Sequence, residues 1–441
     1  MIGEDREPSY APEAFLDRLV VLDDDPTGVQ TLAGIRVLLG WDATSVATAL
    51  EGRPSVHLIT NSRALQPVAA RVAVEAAARV AVEAVPDAHL VLRGDSTLRG
   101  HLREEYEAVS ATVGGAGWPP LLLAPALPSA GRKTRGGIHL IERDGAATPL
   151  DETEYAHDGL FSYSTARLLD WAEERSGGLF DASLGRELHL DDLHREGGGA
   201  VAAALQALAS GGRPAILAPD AETEDDLALI AEGYAQAVQG GVPALVRCAP
   251  AFAGILAGTT APGLVAPPTA GPGGVLVVCG SYVPTTTRQL AALAQTGVAL
   301  VEVDADALAG RAAQTEIASG AAATSTAIRR DGLVVVATPR TRSEHASHLE
   351  AGERVAAGLA LIAGRVAPSP SVVIAKGGIT SAVTLRAGFG AETAEVLGPV
   401  LPGVSHWRAD ARGRALDYLV VPGNVGADDL LVRLVDSVLR R

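Results

Sequence analysis

From Leu19 to the end of the chain, short apolar runs alternate with alanine-rich stretches that suit helices. In the first half the strand candidates are residues 19–25, 35–39, 56–60, 89–93, 121–125, 215–218 and 244–248. Residues 68–85, rich in Ala, Val, Arg and Glu, read as a crossover helix. This rhythm implies a mostly parallel sheet, because parallel neighbours need a crossover and the crossovers cover both faces. Residues 136–195 are less regular and read as an insertion or a helical lid. Residues 259–274, TTAPGLVAPPTAGPGG, are uncharged and rich in Pro and Gly, as a linker is. A second series follows, with strands expected over 275–279, 298–303, 333–337, 372–375 and 418–421, and helices over 285–294, 345–363 and 428–439. The expectation is an α/β protein of two domains, each a mostly parallel sheet flanked by helices, with the active site in the interdomain cleft. The boundaries read as 1–258, a linker at 259–274, and 275–441, which suits a chain of 441 residues.

The apolar run Leu19-Val20-Val21-Leu22 ends in Asp23-Asp24-Asp25-Pro26-Thr27-Gly28. Three adjacent acids repel one another, so a fold gains little from them. At the carboxyl edge of a sheet they are placed for chemistry, where open α/β proteins hold ligands. Three more polar clusters follow three more strands: Thr60-Asn61-Ser62-Arg63, Arg93-Gly94-Asp95-Ser96-Thr97-Leu98-Arg99-Gly100, and Ser129 through Thr134. Turn capping and surface salt bridges explain one such cluster easily and four poorly. Arg63, Arg93, Arg132 and Lys133 could hold a carboxylate or phosphate. Asp24, Asp25 and Asp95 could bond hydroxyls or take a proton.

In the second half, Gly280-Ser281, Lys376-Gly377-Gly378-Ile379-Thr380-Ser381 and Gly423-Asn424-Val425-Gly426 each follow an apolar run. Glycine lets a ligand approach the backbone, and free N–H groups cradle phosphates. One such turn is ordinary; three in one domain point to nucleotide phosphates. Neither GxxxxGK[ST] nor a strand-borne GxGxxG occurs, which argues against a Walker-type site and a dinucleotide cofactor.

Charge narrows the partners. Thirty-six basic against 52 acidic residues leave a net charge of −16, so a nucleic-acid backbone is not an expected partner. Only Lys133 and Lys376 among the basic residues are lysines, and both fall in the clusters above. The two cysteines, Cys248 and Cys279, sit in or beside apolar runs without metal-ligand spacing, which fits a reducing cytoplasm and no bound metal. No apolar run approaches the length of a membrane span, and residues 1–12 are acidic and polar, unlike a signal peptide.

Taken in order, these pieces resemble the four-carbon acid sugar kinases. The resemblance rests on Asp24 through Gly28, Thr60 through Arg63, Asp95 through Gly100, Pro128 through Thr134, Gly280-Ser281, Gly377 through Ser381, and Gly423 through Gly426. The run DSTLRG is the most specific. The chain departs from the family's usual residues at Ile379, His101, Tyr282 and Val283. The resemblance implies an N-terminal sugar-acid domain, a C-terminal ATP domain, and transfer of the γ-phosphoryl group to the terminal hydroxyl of a tetronate-type acid, with ATP and Mg²⁺ as cofactors and a homodimer as the assembly. Asp25 and Asp95 become the candidate catalytic acids. Asp24, Thr27, Arg63, Arg93, Ser96, Arg132 and Lys133 become candidate substrate contacts. Ser281, Lys376, Gly377, Gly378, Ile379, Thr380, Gly423, Asn424 and Gly426 become candidate ATP contacts.

Two other readings remain open from the residues. Asp23-Asp24-Asp25-Pro26-Thr27 fits the DxDxT nucleophile motif of haloacid-dehalogenase-like phosphatases, with Asp23 as nucleophile, Asp25 as acid/base, Thr60 and Lys133 as later motifs, and Asp220 with Asp225 and Asp226 as a loose acidic pair. That reading leaves DSTLRG and the second domain without a role. A non-catalytic sugar-acid-binding protein would need the same cations.

Overall fold

The computed structural model describes residues 14–113, 117–143, 145–340 and 349–439. The N-terminal polar stretch up to residue 13, and residues 345–348 of an expected helix, lie outside the described residues. The strands of the first half are β1 (Leu19–Asp23), β2 (Ile35–Leu38), β3 (Ser55–Ile59), β4 (His89–Arg93), β5 (Leu121–Ala124), β6 (Arg132–Arg135), β7 (Ile138–Arg143), β8 (Ala146–Pro149), β9 (Arg186–Leu188), β10 (Ile216–Pro219) and β11 (Leu245–Cys248). Those of the second half are β12 (Val275–Cys279), β13 (Ala299–Glu302), β14 (Leu333–Ala337), β15 (Val372–Lys376), β16 (Thr393–Leu401), β17 (Val404–Asp410) and β18 (Ala415–Val421).

Fifteen of these strands form one sheet in the order β13-β14-β12-β15-β18-β17-β16-β2-β3-β1-β4-β11-β5-β10-β9. Every pair within β2-β3-β1-β4-β11-β5-β10-β9 is parallel, as is every pair within β13-β14-β12-β15-β18. Crossover helices explain this. Helix Pro67–Ala84 starts at a proline, whose missing N–H is no loss at N1, and turns Ala70, Val74, Ala77, Ala78 and Ala81 onto the sheet. Residues 132–149 form a separate antiparallel sheet, β6-β7-β8, so the irregular segment opens with strands rather than as a helical lid.

The two parallel halves are not separate bodies of sheet. β16 and β17 are antiparallel, and β16 pairs antiparallel with β2 from Thr393 opposite Leu38 to Val396 opposite Ile35. One apolar core crosses this joint, holding Ile35 and Val37 together with Leu276, Val373 and Trp407. The Pro/Gly-rich segment is pinned to both halves. The Ala261 amide donates to Thr31 O at 2.9 Å, and the Val265 amide to Pro399 O at 2.7 Å.

In a flat sheet the antiparallel joint would send the two carboxyl edges in opposite directions. Twist accumulates from strand to strand. The pairing of β16 with β17 also breaks register between Val396 and Gly398 and between Pro399 and Leu401, irregularities that bend a strand. The two edges meet. The single turn Pro26–Val29 after β1 packs against helix Gly378–Val383 after β15, and against β18.

Candidate functional site

β3, β1, β4 and β11 end level, with Asp23 beside Ile59 and Arg93, and Arg93 beside Cys248. The loops after them converge on one charged network. Asp23 is fully buried; it accepts from Arg93 and faces His57 Nδ1 at 3.2 Å. Burial keeps His57 neutral by pushing its pKa down to about 3. Arg93 also reaches Asp24 Oδ1 at 2.9 Å and donates to the Asp25 carbonyl. Its guanidinium occupies the space beside Gly28, where an added Cβ would lie 2.1 Å from the guanidinium carbon.

Asp25 caps the turn Pro26–Val29, its Oδ1 accepting from the Thr27 amide at 2.7 Å and from the Thr27 hydroxyl. Its Oδ2 pairs with Arg63 at 2.5 Å. The other end of the Arg63 fork lies 3.4 Å from Asp95 Oδ1 and 3.9 Å from Asp24 Oδ2. Asp95 Oδ2 accepts from Arg99 Nε at 2.6 Å and from the Thr97 hydroxyl. Burial alone would raise both carboxyls. Arg63 and Thr27 outweigh it at Asp25, and Arg99, Arg63 and Thr97 at Asp95, so both are held below the ordinary aspartate range.

Asp24 goes the other way. Burial outweighs the Arg63 charge and pushes its carboxyl up to about 8. The charges of the network agree: the five carboxyls of Asp23, Asp24, Asp25, Asp95 and Glu105 outnumber the four guanidiniums of Arg63, Arg93, Arg99 and Arg247, and Arg99 serves Asp158 as well, at 3.6 Å. Neither Asp24 oxygen has a well-aligned hydrogen-bond donor.

In the second half, β12, β15 and β18 also end level, with Cys279 beside Lys376 and Lys376 beside Val421. Their three turns meet too closely for side chains. A Cβ on Gly280 would lie 2.8 Å from Thr380 Oγ1, and one on Gly423 2.8 Å from Ser281 Oγ. Gly377, at φ +108°, would set one 3.1 Å from Ser281 Cβ. The loop after β18 is fixed from beneath. Lys376 Nζ donates to Pro422 O at 2.6 Å, Thr286 Oγ1 to Gly423 O at 2.9 Å, and Gln289 Nε2 to Val425 O and Ala427 O, each at 2.9 Å. Arg340 donates to Ser281 O at 2.7 Å and lies 5.5 Å over the Tyr282 ring.

The two assemblies touch. A Cβ on Gly378 would fall 2.3 and 2.6 Å from the Asp25 carboxylate oxygens, so that carboxylate lies against the bare backbone of the turn. An arginine-bound carboxylate and a glycine-lined cradle thus share one edge.

Asp24, Asp25, Thr27, Arg63, Arg93 and Asp95 therefore form one network; Ser96 is buried beside Asp95, and its carbonyl faces His139 Nε2 at 2.9 Å, outside that network. Ser281, Gly377, Gly378, Thr380 and Gly423 form the cradle, with Ile379, Asn424 and Gly426 exposed on its rim. Four of the expected contacts are placed apart from the rest. Arg93 is 3% exposed and committed to aspartates, so it is not open to a ligand carboxylate. Lys133 pairs with Glu142 at 2.5 Å across β6 and β7, and Arg132 donates to Ala130 O at 2.7 Å. Among the described residues neither pairs with Asp24, Asp25 or Asp95. Lys376 is fully buried and bonded to loop carbonyls, where burial lowers its pKa to about 8, so it shapes the cradle from below instead of facing into it.

The phosphatase geometry is not assembled either. Asp23 is sealed under Arg93, Asp220 accepts from the Gly136 and Gly137 amides at 2.9 Å each, and Asp226 caps helix Glu224–Gln239. Among the described residues no three His, Cys, Asp or Glu side chains are grouped to hold a metal.

Sequence reasoning missed Glu105, Arg247, Gln289 and Arg340. Arg247 carried a signal, being a charge inside an apolar strand run. Glu105 carried none, standing between Glu104 and Tyr106 as any solvated helix residue would.

The profile of a family described as a sugar-binding N-terminal domain matches residues 19–256, and that of a nucleotide-binding C-terminal domain matches residues 276–431. A Haemophilus influenzae protein of known structure is 16% identical, with a TM-score of 0.63 over 96% of this chain and 100% of that one. A Salmonella typhimurium protein described as a putative tRNA synthase is 20% identical, with a TM-score of 0.68 over 94% of this chain and 98% of that one. These likenesses show a shared fold. No curated protein sequence matches the chain significantly.

Proposed function

The chain belongs to the four-carbon acid sugar kinase family, and from that premise we propose that it is an ATP-dependent kinase acting on the terminal hydroxyl of a tetronate or 3-oxo-tetronate. The observation that carries this reading is the contact of Asp25 with Gly378. Phosphoryl transfer needs little covalent chemistry from a protein; it needs an aligned hydroxyl, compensated charge and excluded water. A carboxylate from the sugar-binding half pressed on a phosphate-type cradle from the nucleotide-binding half supports that alignment.

In this reading Asp25 accepts the proton of the attacking hydroxyl. Arg63 orients Asp25 through Oδ2 while Thr27 holds Oδ1. Asp95 is the second carboxylate facing Arg63, and Arg63 with Arg99, the less deeply buried guanidiniums of the network, offers N–H donors to the sugar acid. The backbone amides of the three turns, with the Ser281 and Thr380 hydroxyls, take the triphosphate. Lys376 and Gln289 hold the loop after β18 in place for that task. Mg²⁺ fits as an ion carried in on the triphosphate, since the nearest carboxylates are already bound to arginines; when bound it neutralises phosphate charge. We assign 1–258 to the sugar-acid domain, 259–274 to the linker and 275–441 to the ATP domain.

A panel of threonates, erythronates and their 3-oxo forms, offered with ATP in a coupled ADP-release assay, tests the reading. ADP release dependent on one of these acids is expected. ATP-independent hydrolysis of phosphate esters would favour a phosphatase, and acid binding without ADP release would favour a binding protein.

A further inference from the structure

Beneath the charged network lies an ion pair that the proposed chemistry does not use. Arg247 Nε donates to Glu105 Oε2 at 3.1 Å, and the two side chains are 2% and 3% exposed. Glu105 Oε1 accepts from Ser62 Oγ at 2.9 Å, one residue before Arg63. The Arg247 guanidinium fills the space beside two glycines that bracket the Asp95 loop. A Cβ on Gly94 would lie 2.5 Å from its Cζ, and one on Gly100, at φ +127°, 2.5 Å from its Nη2. That same Gly100 position is 3.5 Å from Asp24 Oδ2. One buried pair thus touches the base of the Arg63 loop, both ends of the Asp95 loop, and the neighbourhood of Asp24.

A buried ion pair is a poor source of stability, because desolvation offsets its attraction and apolar residues of similar volume often do as well. The contacts of this pair with both loops point to another role. We propose that Arg247 and Glu105 are positioning residues, which hold Arg63 against Asp95 and Asp25 in the geometry that receives the sugar acid. The role rests on the kinase reading only for its kinetic consequence; the geometric consequence stands by itself.

Glu105→Met with Arg247→Met removes both charges together and leaves no buried ion unpaired, so the double variant is expected to fold with a melting temperature close to the parent's. Ser62→Ala is the milder companion, removing only the link to the Arg63 loop. With a four-carbon acid that the parent turns over, the double variant is expected to lose at least tenfold in kcat and Ser62→Ala a smaller amount, with KM for ATP unchanged in both. A merely structural pair would leave kcat at the parental value once the variant is folded. A crystal structure of the double variant gives the second readout: the Arg63 Nη1 to Asp95 Oδ1 separation is expected to open beyond the 3.4 Å of the parent and past 4.0 Å. A folded double variant that keeps that separation, or keeps parental kcat, overturns the proposal. A parent inactive on every four-carbon acid would sink the kinase reading, and the crystallographic separation would then decide the positioning role alone.

Discussion

Gly378→Ala is the smallest perturbation that separates the two halves of the site. The added carbon falls 2.3 Å from one Asp25 oxygen and 2.6 Å from the other, where ordinary contact begins near 3.4 Å. About 1 Å of movement is therefore required, and little of it can come from Asp25 swinging aside. Its Oδ2 is bound to Arg63 at 2.5 Å and its Oδ1 to the Thr27 amide at 2.7 Å. A displacement of ~1 Å at a phosphoryl-transfer centre costs roughly a hundredfold in rate, or about 2.7 kcal/mol of barrier. The fold bears a modest cost, because a methyl pressed on a fixed carboxylate is overpacking worth about 1–3 kcal/mol. The expected result is kcat lowered about a hundredfold, unchanged calorimetric affinity for the sugar acid alone, and a melting temperature slightly below the parent's. Parental kcat in a folded Gly378→Ala variant would refute the reasoning, because the two surfaces would then not meet during turnover.

Lys376→Met removes the ammonium that bonds Pro422 O at 2.6 Å. With about 1.5–3 kcal/mol for a charged hydrogen bond, KM for ATP should rise roughly ten- to a hundredfold while KM for the acid stays put, as initial-rate kinetics would report. Gly28→Ala drives a methyl into the buried Arg93 guanidinium, and overpacking of this kind should cost about 1–3 kcal/mol in urea unfolding. The buried network also sets a pH dependence. Burial holds His57 and His139 neutral, with pKa values near 3 and 4, whereas the unfolded chain protonates them near 6.5; the unfolded state binds more protons, so they make stability rise with pH between about 5 and 7. Asp24 opposes that rise, because its carboxyl, raised to about 8, keeps a proton that the unfolded chain has released. Asp24→Asn should therefore steepen the rise by about 1.4 kcal/mol per pH unit, read from urea midpoints across that range.

The parallel strands were legible because buried β-branched and leucine runs need both faces covered, and 89–93, 275–279 and 333–337 carry such runs between turn signals. β16 and β17 were not, because Gly398 and Pro399 interrupt β16, and β17 buries polar Ser405 and His406 where an apolar run would be looked for. The joint between β16 and β2, which decides how the two edges meet, is a long-range pairing that no local pattern encodes. The same distinction holds at the site. Asp24, Asp25, Arg63 and Asp95 could be picked out because each stands at or just past the end of a strand candidate. Their division of labour could not, because it depends on burial. Arg93 ends a strand exactly as the others do, yet its side chain turns inward to Asp23; Lys376 was singled out by its rarity, yet its ammonium turns down to Pro422.

The account stands or falls on direct phosphoryl transfer from ATP to a four-carbon acid, with Asp25 taking the proton of the attacking hydroxyl. Single-turnover transfer from ATP, with the product's phosphate position fixed by phosphorus NMR, measures this for the parent and for Asp25→Asn. The account predicts phosphate on the terminal oxygen for the parent and a loss of about 10²- to 10⁴-fold in the transfer rate for the variant. Transfer to a different oxygen, or an Asp25→Asn variant that transfers at the parental rate, would contradict it.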